Sequence, residues 1–382
     1  MRVLQIVQRP QRRGAEIFAY DLARRFEALG IAVCTVYLYR FEGRHGLPLH
    51  ETDVCLDGAD NHVFEKYPGI HPALLRRLLD AIGKFQPGIV QVNGSRTVKY
   101  GAAARHALGS RASWKLVYRN IGVPSSWHRS KWKVWIYRNG IMSQMDGVIG
   151  VSSFSLSDAR SLYGLRAPWT VIPNGINPAR IPIVVSSSEV RRTHGAAGDD
   201  MILIFVGRLE RAKRADRFVR VLARVGDTIP GTRGWIVGDG PLRRDIERLA
   251  HECGVSDRTC FLGATDDVAS LMNAADLLVV TSDTEGIPAT VLEAGFLGVP
   301  VVATGVGGLP ECIVDGETGI LAEDEEGLVD AIVRLAGDGE LRATMARRAR
   351  ERTLKSFLID RVADSYVEFY ARLLDEPRCA AA

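Results

Sequence analysis

No run of eighteen apolar residues occurs anywhere in the 382-residue sequence, which argues against a membrane-spanning helix on length alone. Cysteine is scarce, and Cys34, Cys55, Cys253, Cys260, Cys312 and Cys379 form no CxxC pair and no cluster with histidine. That scatter predicts reduced thiols in a cytoplasmic protein rather than a disulfide framework. The opening seven residues carry one positive charge and few apolar side chains before Gln8 and Arg9, so no secretory signal is expected. No Gly-x-Gly-x-x-Gly follows the first apolar run, which counts against a nicotinamide dehydrogenase. Asp and Glu are missing from Gln86 to Met145, although Arg96, Lys99, Arg129, Lys131, Lys133 and Arg138 all fall there. One face of the first half is therefore expected to be electropositive.

What remains is ordinary globular material, with 46% hydrophobic and 25% charged residues and a net charge of +4, too small a charge to imply nucleic acid by itself. The length exceeds what one hydrophobic core usually supports, so two domains are expected. Strand-length apolar runs alternate with helical patterns, the mark of βαβ units on parallel sheets. The first series reads 3–7, 32–37, 88–92, 115–118, 147–151 and 170–172, and the second reads 201–206, 234–237, 259–262, 277–281 and 300–303. Between them, 180–200 carries Pro182, three consecutive serines and scattered glycines without a period, and reads as a connection. The expected division is 1–179, a linker at 180–200, a second domain at 201–356, and a helix at 357–376. The apolar positions of that helix predict that it packs back on the first domain.

The segment from Thr281 to Ala294 carries the most chemistry. It leaves a buried strand and opens a helix, with Gly286 permitting a tight turn and Pro288 suited to a first helical turn. Unpaired backbone N–H groups there can face an anion, while Glu285 and Glu293 can accept hydrogen bonds from hydroxyls on either side of it. Two solvated glutamates are the plainer alternative at that spacing. Gly207-Arg208 and Lys213 follow another strand; the guanidinium offers a fork and the ammonium a point charge, together able to neutralise a diphosphate. The neighbouring Arg211 and Arg214 read as surface charges. Val237-Gly238-Asp239-Gly240-Pro241 is a third glycine loop after a strand.

Arg208 with Lys213, the Gly238–Pro241 loop, the Glu285 to Glu293 spacing and Val171-Ile172-Pro173-Asn174-Gly175-Ile176-Asn177 together resemble the retaining family 4 glycosyltransferases with the GT-B fold. That resemblance implies two Rossmann-like doubly wound α/β domains facing a central cleft, with the last helix crossing back to the N-terminal one. It implies transfer of a sugar from a UDP- or GDP-sugar to an acceptor hydroxyl, with retention and without a metal or other cofactor. Arg208 and Lys213 would offset charge on the departing diphosphate. Glu293 would receive the ribose hydroxyls, and Glu285 with the backbone of Gly286, Ile287, Pro288 and Ala289 would hold the transferred sugar. Gly263 would pack against the base. The acceptor could be a sugar, a lipid-linked molecule or a small molecule.

Two departures from the family pattern stand out. Arg13-Gly14-Ala15-Glu16 occupies the place of a Gly-Gly-x-Glu loop, leaving Gly14 to approach the phosphate; a plain helix entry with Glu16 in its first turn is the alternative. Asn120 stands where many relatives carry a histidine, and asparagine is no base at neutral pH. The resemblance implies same-face attack with the departing phosphate oxygen taking the acceptor's proton, so Asn120 could still hydrogen-bond the sugar. Asp199-Asp200 and Asp266-Asp267 read as caps and solvated charges rather than metal ligands. The aromatic, basic segment 127–138 allows three readings: a partly buried helix, an anionic membrane surface that would make the protein peripheral, or nucleic acid, the last least favoured. A non-catalytic nucleotide-sugar binder and a nucleotide-sugar epimerase remain the competing functions.

Overall fold

The computed structural model describes residues 1–43, 46–58, 69–127 and 130–375. The chain divides into two compact units, Met1–Gly175 with Ile359–Ala382, and Ile176–Leu358.

The first unit runs β1 Arg2–Val7, α1 Gly14–Ala28, β2 Ala32–Tyr39, β3 Val54–Gly58, α2 Pro72–Phe85, β4 Ile89–Asn93 and α3 Ser95–Leu108. It continues with β5 Lys115–Asn120, α4 Lys131–Ile136, β6 Gly147–Gly150, α5 Ser153–Tyr163 and β7 Trp169–Val171. The strands form one sheet in the order β3-β2-β1-β4-β5-β6-β7, every pairing parallel. A parallel strand is covered on both faces, which is why β1 is buried from Val3 to Val7. Alternate residues feed two cores: Leu4 and Ile6 belong to one, Val3 to the other.

The second unit runs α6 Ser187–Thr193, β8 Met201–Val206, α7 Ala215–Thr228, β9 Thr232–Val237, α8 Arg243–Glu252, β10 Thr259–Gly263 and α9 Val268–Asn273. After it come β11 Leu277–Val280, α10 Ala289–Leu297, β12 Val301–Thr304, α11 Leu309–Cys312, β13 Gly319–Ala322, α12 Glu325–Gly337 and α13 Gly339–Ser356. Its six-stranded sheet has the order β10-β9-β8-β11-β12-β13, again parallel throughout. Two parallel doubly wound sheets with helices give the two-domain α/β architecture expected from the alternation.

The last helix, α14 Ile359–Asp375, belongs to the first unit. Its Tyr366, Phe369, Tyr370 and Leu373 join Phe18, Leu22 and Phe26 of α1 in one core; the Tyr366 and Tyr370 rings lie 6.4 and 6.0 Å from Phe26. Truncating a buried aromatic of this kind costs about 3–5 kcal/mol, so α14 is part of that unit's core.

The stretch 180–200 differs from the irregular connection read in the sequence. Ser186 caps α6 by accepting from the Glu189 N–H at 3.3 Å, and Arg191 donates to the Ala274 carbonyl at 2.9 Å and to Asp276 at 2.8 Å. The serine run is a helix cap, and the helix escaped notice because Val190 is its one buried residue. The edge strands β3 and β13 were also missed, being five and four residues long with no sustained apolar alternation.

Candidate functional site

In the second unit the chain winds β8, β9, β10 in one direction and then β11, β12, β13 in the other, so the strand order reverses between β8 and β11. Loops leaving the C-terminal ends of such a pair diverge and open a crevice, the usual ligand position in a doubly wound sheet. The loop after β8 carries Gly207, Arg208 and Lys213; the loop after β11 carries Glu285 and Gly286.

These loops are hydrogen-bonded into a continuous rim. The Gly207 N–H donates to the Val237 carbonyl at 2.9 Å, Gly238 N–H to Gly263 at 2.7 Å, Leu209 N–H to Asp239 at 3.1 Å, and Asp283 N–H to Ala212 at 2.9 Å. Thr281 Oγ1, beyond β11, donates to the carbonyls of Lys213 and Arg214. Gly238 is required for this closeness: its φ is +129°, and a Cβ there would lie 2.0 Å from the Gly207 carbonyl oxygen. Gly207 itself faces no such crowding, with its nearest side-chain atoms at 3.6 Å or beyond.

Within the rim, Lys213 Nζ donates to Glu285 Oε1 at 2.6 Å. The carboxylate is buried, and the same oxygen accepts from Ser282 Oγ at 2.6 Å. Charged partners at that distance in a partly dry site fix each other's rotamers. Arg208 sits in the same loop but pairs with Glu210 at 3.5 Å and is 44% exposed, so its guanidinium is not joined to Glu285. Helix α10 starts at this rim with Pro288 as its N-cap residue and no side chain capping it. A helix start left open in this way can receive an anion on its N–H groups and positive dipole end. Ile287 is buried, while Gly286, Pro288 and Ala289 are half-buried. Glu293 is half-buried in the second turn of α10, about 6 Å along the axis from its start.

Two contributors went unread in the sequence: Ser282, and the Gly305–Gly308 loop after β12. Gly307 has φ +61°, and a Cβ there would stand 2.0 Å from the Glu285 carbonyl oxygen; the Gly308 N–H donates to that oxygen at 3.1 Å. The available signal was a glycine cluster directly after a strand, the pattern already recognised at Gly238.

Two family models match consecutive stretches of the chain: Glycosyltransferase Family 4 over residues 12–180 and Glycosyl transferases group 1 over residues 186–352. The chain belongs to the group 1 glycosyltransferases. Among curated relatives, this glycosyltransferase is 30% identical over 245 residues to the N-acetyl-alpha-D-glucosaminyl L-malate synthase of Bacillus anthracis, a match covering 64% of each chain. It is 27% identical over 289 residues to the GDP-mannose-dependent alpha-(1-6)-phosphatidylinositol monomannoside mannosyltransferase of Mycobacterium tuberculosis, covering 72% of this chain and 75% of that one. Anabaena HepE, solved with UDP and glucose, superposes with a TM-score of 0.82 at 22% identity, over 97% of this chain and all of that one. That likeness shares the GT-B fold.

In the first unit of the glycosyltransferase, the sheet order reverses between β1 and β4. Arg13, the N-cap residue of α1, has φ −124°, and neither it nor Gly14 has a positive φ. The backbone at the start of α1 therefore does not need the family's first glycine. Glu16 is buried and accepts from Gln11 Nε2 at 2.8 Å; burial pushes its carboxyl above the usual range against that hydrogen bond.

Asn120 requires a correction as a sugar-contacting residue. Its side chain is buried, accepts from Tyr118 Oη at 3.0 Å, and gives its two amide protons to the carbonyls of Gly122 at 3.1 Å and Ser155 at 2.7 Å. Both donors are spent inside the protein, so its amide braces the turn after β5. Beside it, the fully buried Arg119 lies over the Phe18 ring and donates to Tyr366 Oη at 3.1 Å, to Asn93 and to Asn174. Burial pulls Arg119 below the usual guanidinium range, opposed by the tyrosine hydroxyls and Glu16.

Among the described residues no group of three His, Cys, Asp or Glu could hold a metal ion. Asp267 caps α9 by accepting from Ser270 N–H at 3.1 Å, and Asp200 pairs with Arg233 and accepts from the Ala197 N–H. No helix among the described residues is long and apolar enough to cross a membrane. His128 and Arg129 of the aromatic segment lie outside the described residues.

Proposed function

We propose that this glycosyltransferase moves a sugar from a nucleoside diphosphate sugar to an acceptor hydroxyl, with retention of the anomeric configuration and without a bound metal. The observation that carries the reading is the bond between Lys213 and the buried Glu285 beside the uncapped start of α10. A diphosphate set there would meet backbone N–H groups and the Lys213 ammonium, with Arg208 leaving its exposed pairing with Glu210 to swing onto it. As the bond between the anomeric carbon and the phosphate oxygen breaks, negative charge grows on the diphosphate, and these fixed donors favour it more than they favour the bound donor. The acceptor oxygen attacks the same face, and the departing phosphate oxygen takes its proton. Glu285 would hold the hydroxyls of the transferred sugar, Glu293 those of the ribose, and the Gly263 loop would face the base.

Support for a UDP or GDP donor comes from the relatives: HepE was solved with UDP-glucose, and the mycobacterial relative is named for GDP-mannose. The phosphatidylinositol monomannoside in the mycobacterial relative's name supports a place in glycoconjugate or polysaccharide synthesis, with a sugar, lipid-linked or small-molecule hydroxyl receiving the sugar. The scattered reduced cysteines put the reaction in the cytoplasm in this reading.

A second reading, a nucleotide-sugar-binding protein without turnover, draws on Asn120 being occupied internally where a histidine is usual. The deciding experiment incubates UDP- and GDP-sugars with the protein and follows release of the nucleoside diphosphate. Slow release without acceptor, faster with one, an α-configured product from an α-linked donor, and a loss of about 100-fold or more in Lys213→Ala or Glu293→Ala would support transfer. Donor binding without release across a broad acceptor panel would favour the binding protein, and a rearranged nucleotide sugar without acceptor would favour an epimerase.

A further inference from the structure

Helix α4 stands out on the first unit because it turns its largest apolar side chains toward solvent. Trp132 is 66% exposed, Trp135 56% and Ile136 38%. The two indoles stack on each other with centroids 5.3 Å apart and planes 8° from parallel. On a helix these three positions share one side, with Lys131 and Lys133 about 100° away on either flank, both exposed.

The opposite side holds the helix down. Tyr137 and Ile141, in the π-helical turn that follows, pack against the core, and Tyr137 stacks on the buried Tyr163 at 5.8 Å. The outward tryptophans are therefore a fixed feature of a seated element. Acidic side chains are absent from Gln86 to Met145, and the next two, Asp146 and Asp158, are engaged with Arg105 and the Ser125 N–H. The patch is thus cationic at its rim and apolar at its centre.

We infer that α4 is a membrane-docking surface that sets Trp132, Trp135 and Ile136 into the headgroup boundary of an anionic bilayer, with Lys131 and Lys133 on the lipid phosphates. Indole rings favour that boundary, and lysine stems extend over apolar material while their ammonium groups stay with the phosphates. Ile136, beside Trp132 on the same face, gives a nucleobase nothing to hydrogen-bond, which favours lipid over nucleic acid. The inference goes beyond transferase activity and does not depend on it.

The test is co-sedimentation of the full chain with vesicles of phosphatidylcholine alone and of phosphatidylcholine mixed with phosphatidylglycerol, at low and high salt. The wild type is expected on the mixed vesicles only, with tryptophan emission shifted to the blue. Each basic residue near an anionic surface contributes a factor of about five, so K131Q/K133Q is expected to weaken partitioning on the order of 25-fold. W132A/W135A is expected to fall to the level of neutral vesicles, while K355Q, at an exposed lysine of the other unit, binds as wild type, with circular dichroism showing all variants folded. Wild-type protein that ignores anionic vesicles, or double variants that bind them unchanged, would overturn the inference. So would tighter binding to a single-stranded oligonucleotide than to the vesicles, or self-association without lipid that W132A/W135A abolishes.

Discussion

Gly307 shows how narrowly the backbone that carries Glu285 is held in place. Its left-handed backbone already disfavours a side chain by about 1–3 kcal/mol, and its Cβ would also strike the Glu285 carbonyl. Gly254 has a similar φ of +68° with open space around it, so Gly254→Ala carries the backbone strain alone. Gly307→Ala is expected to lower stability by more than Gly254→Ala in urea unfolding and to weaken nucleotide-sugar binding, which Gly254→Ala leaves intact. Equal losses in both variants would show that the contact with Glu285 is unimportant. Lys213 and Glu285 were legible in the sequence because their chemistry constrains the residue type at the end of each strand. Ser282 and Gly307 were not, since their relevance depends on two loops meeting across neighbouring strands. Asn120 misled for the same reason: the groups that occupy its amide come from Tyr118, Gly122 and Ser155, and no spacing announces that arrangement.

Helix α7 secures the loop that carries Glu285. Arg214 and Arg217 both reach Asp283, at 3.0 and 3.1 Å, and Arg217 also donates to the Thr281 carbonyl at 2.8 Å. Arg220 links Asp216 to Glu325 of α12. Arg214, read from sequence as a plain surface charge, is thus part of a lattice between three elements. Desolvation pushes the Asp216 carboxyl up, but hydrogen bonds from Arg214 and Arg220 outweigh it and hold the group at about 2, against 3.8 ordinarily. A depressed carboxylate gives stability that is present above its unfolded value and lost as pH falls through the folded one. Asp216→Asn should therefore lower the melting temperature at neutral pH, with the difference from wild type shrinking as pH drops from 3.8 toward 2; a difference independent of pH would contradict the assignment. The strands of β1, β8 and β11 were readable because central parallel strands are unbroken apolar runs. Edge strands β3 and β13 and the cap-driven α6 carry too few buried residues to leave a period.

Across the molecule, both sheets obey one rule: the strand order reverses once, at β1 and β4 in one unit and at β8 and β11 in the other. Alternation along the chain made the two doubly wound units legible, and the apolar spacing of α14 made its return to the first unit legible too. The buried polar chain that helps seat α14 was not. Tyr370 Oη donates to Gln91, which reaches Gln5 at 3.2 Å and Asn93 at 3.1 Å, joining residues far apart in sequence. The feature on which the proposed function rests is in the second unit, where a lysine bonds a buried glutamate three residues before a helix start without a side-chain cap. Isothermal titration of UDP and GDP into the wild type, Lys213→Ala and Glu285→Gln measures that directly. One nucleoside diphosphate is expected to bind per chain, with affinity falling about tenfold or more in Lys213→Ala, the loss of one charge-assisted contact, and little changed in Glu285→Gln, whose proposed partner is the sugar. Affinity unchanged in Lys213→Ala, or no binding to the wild type, would contradict the assignment of that site to the donor.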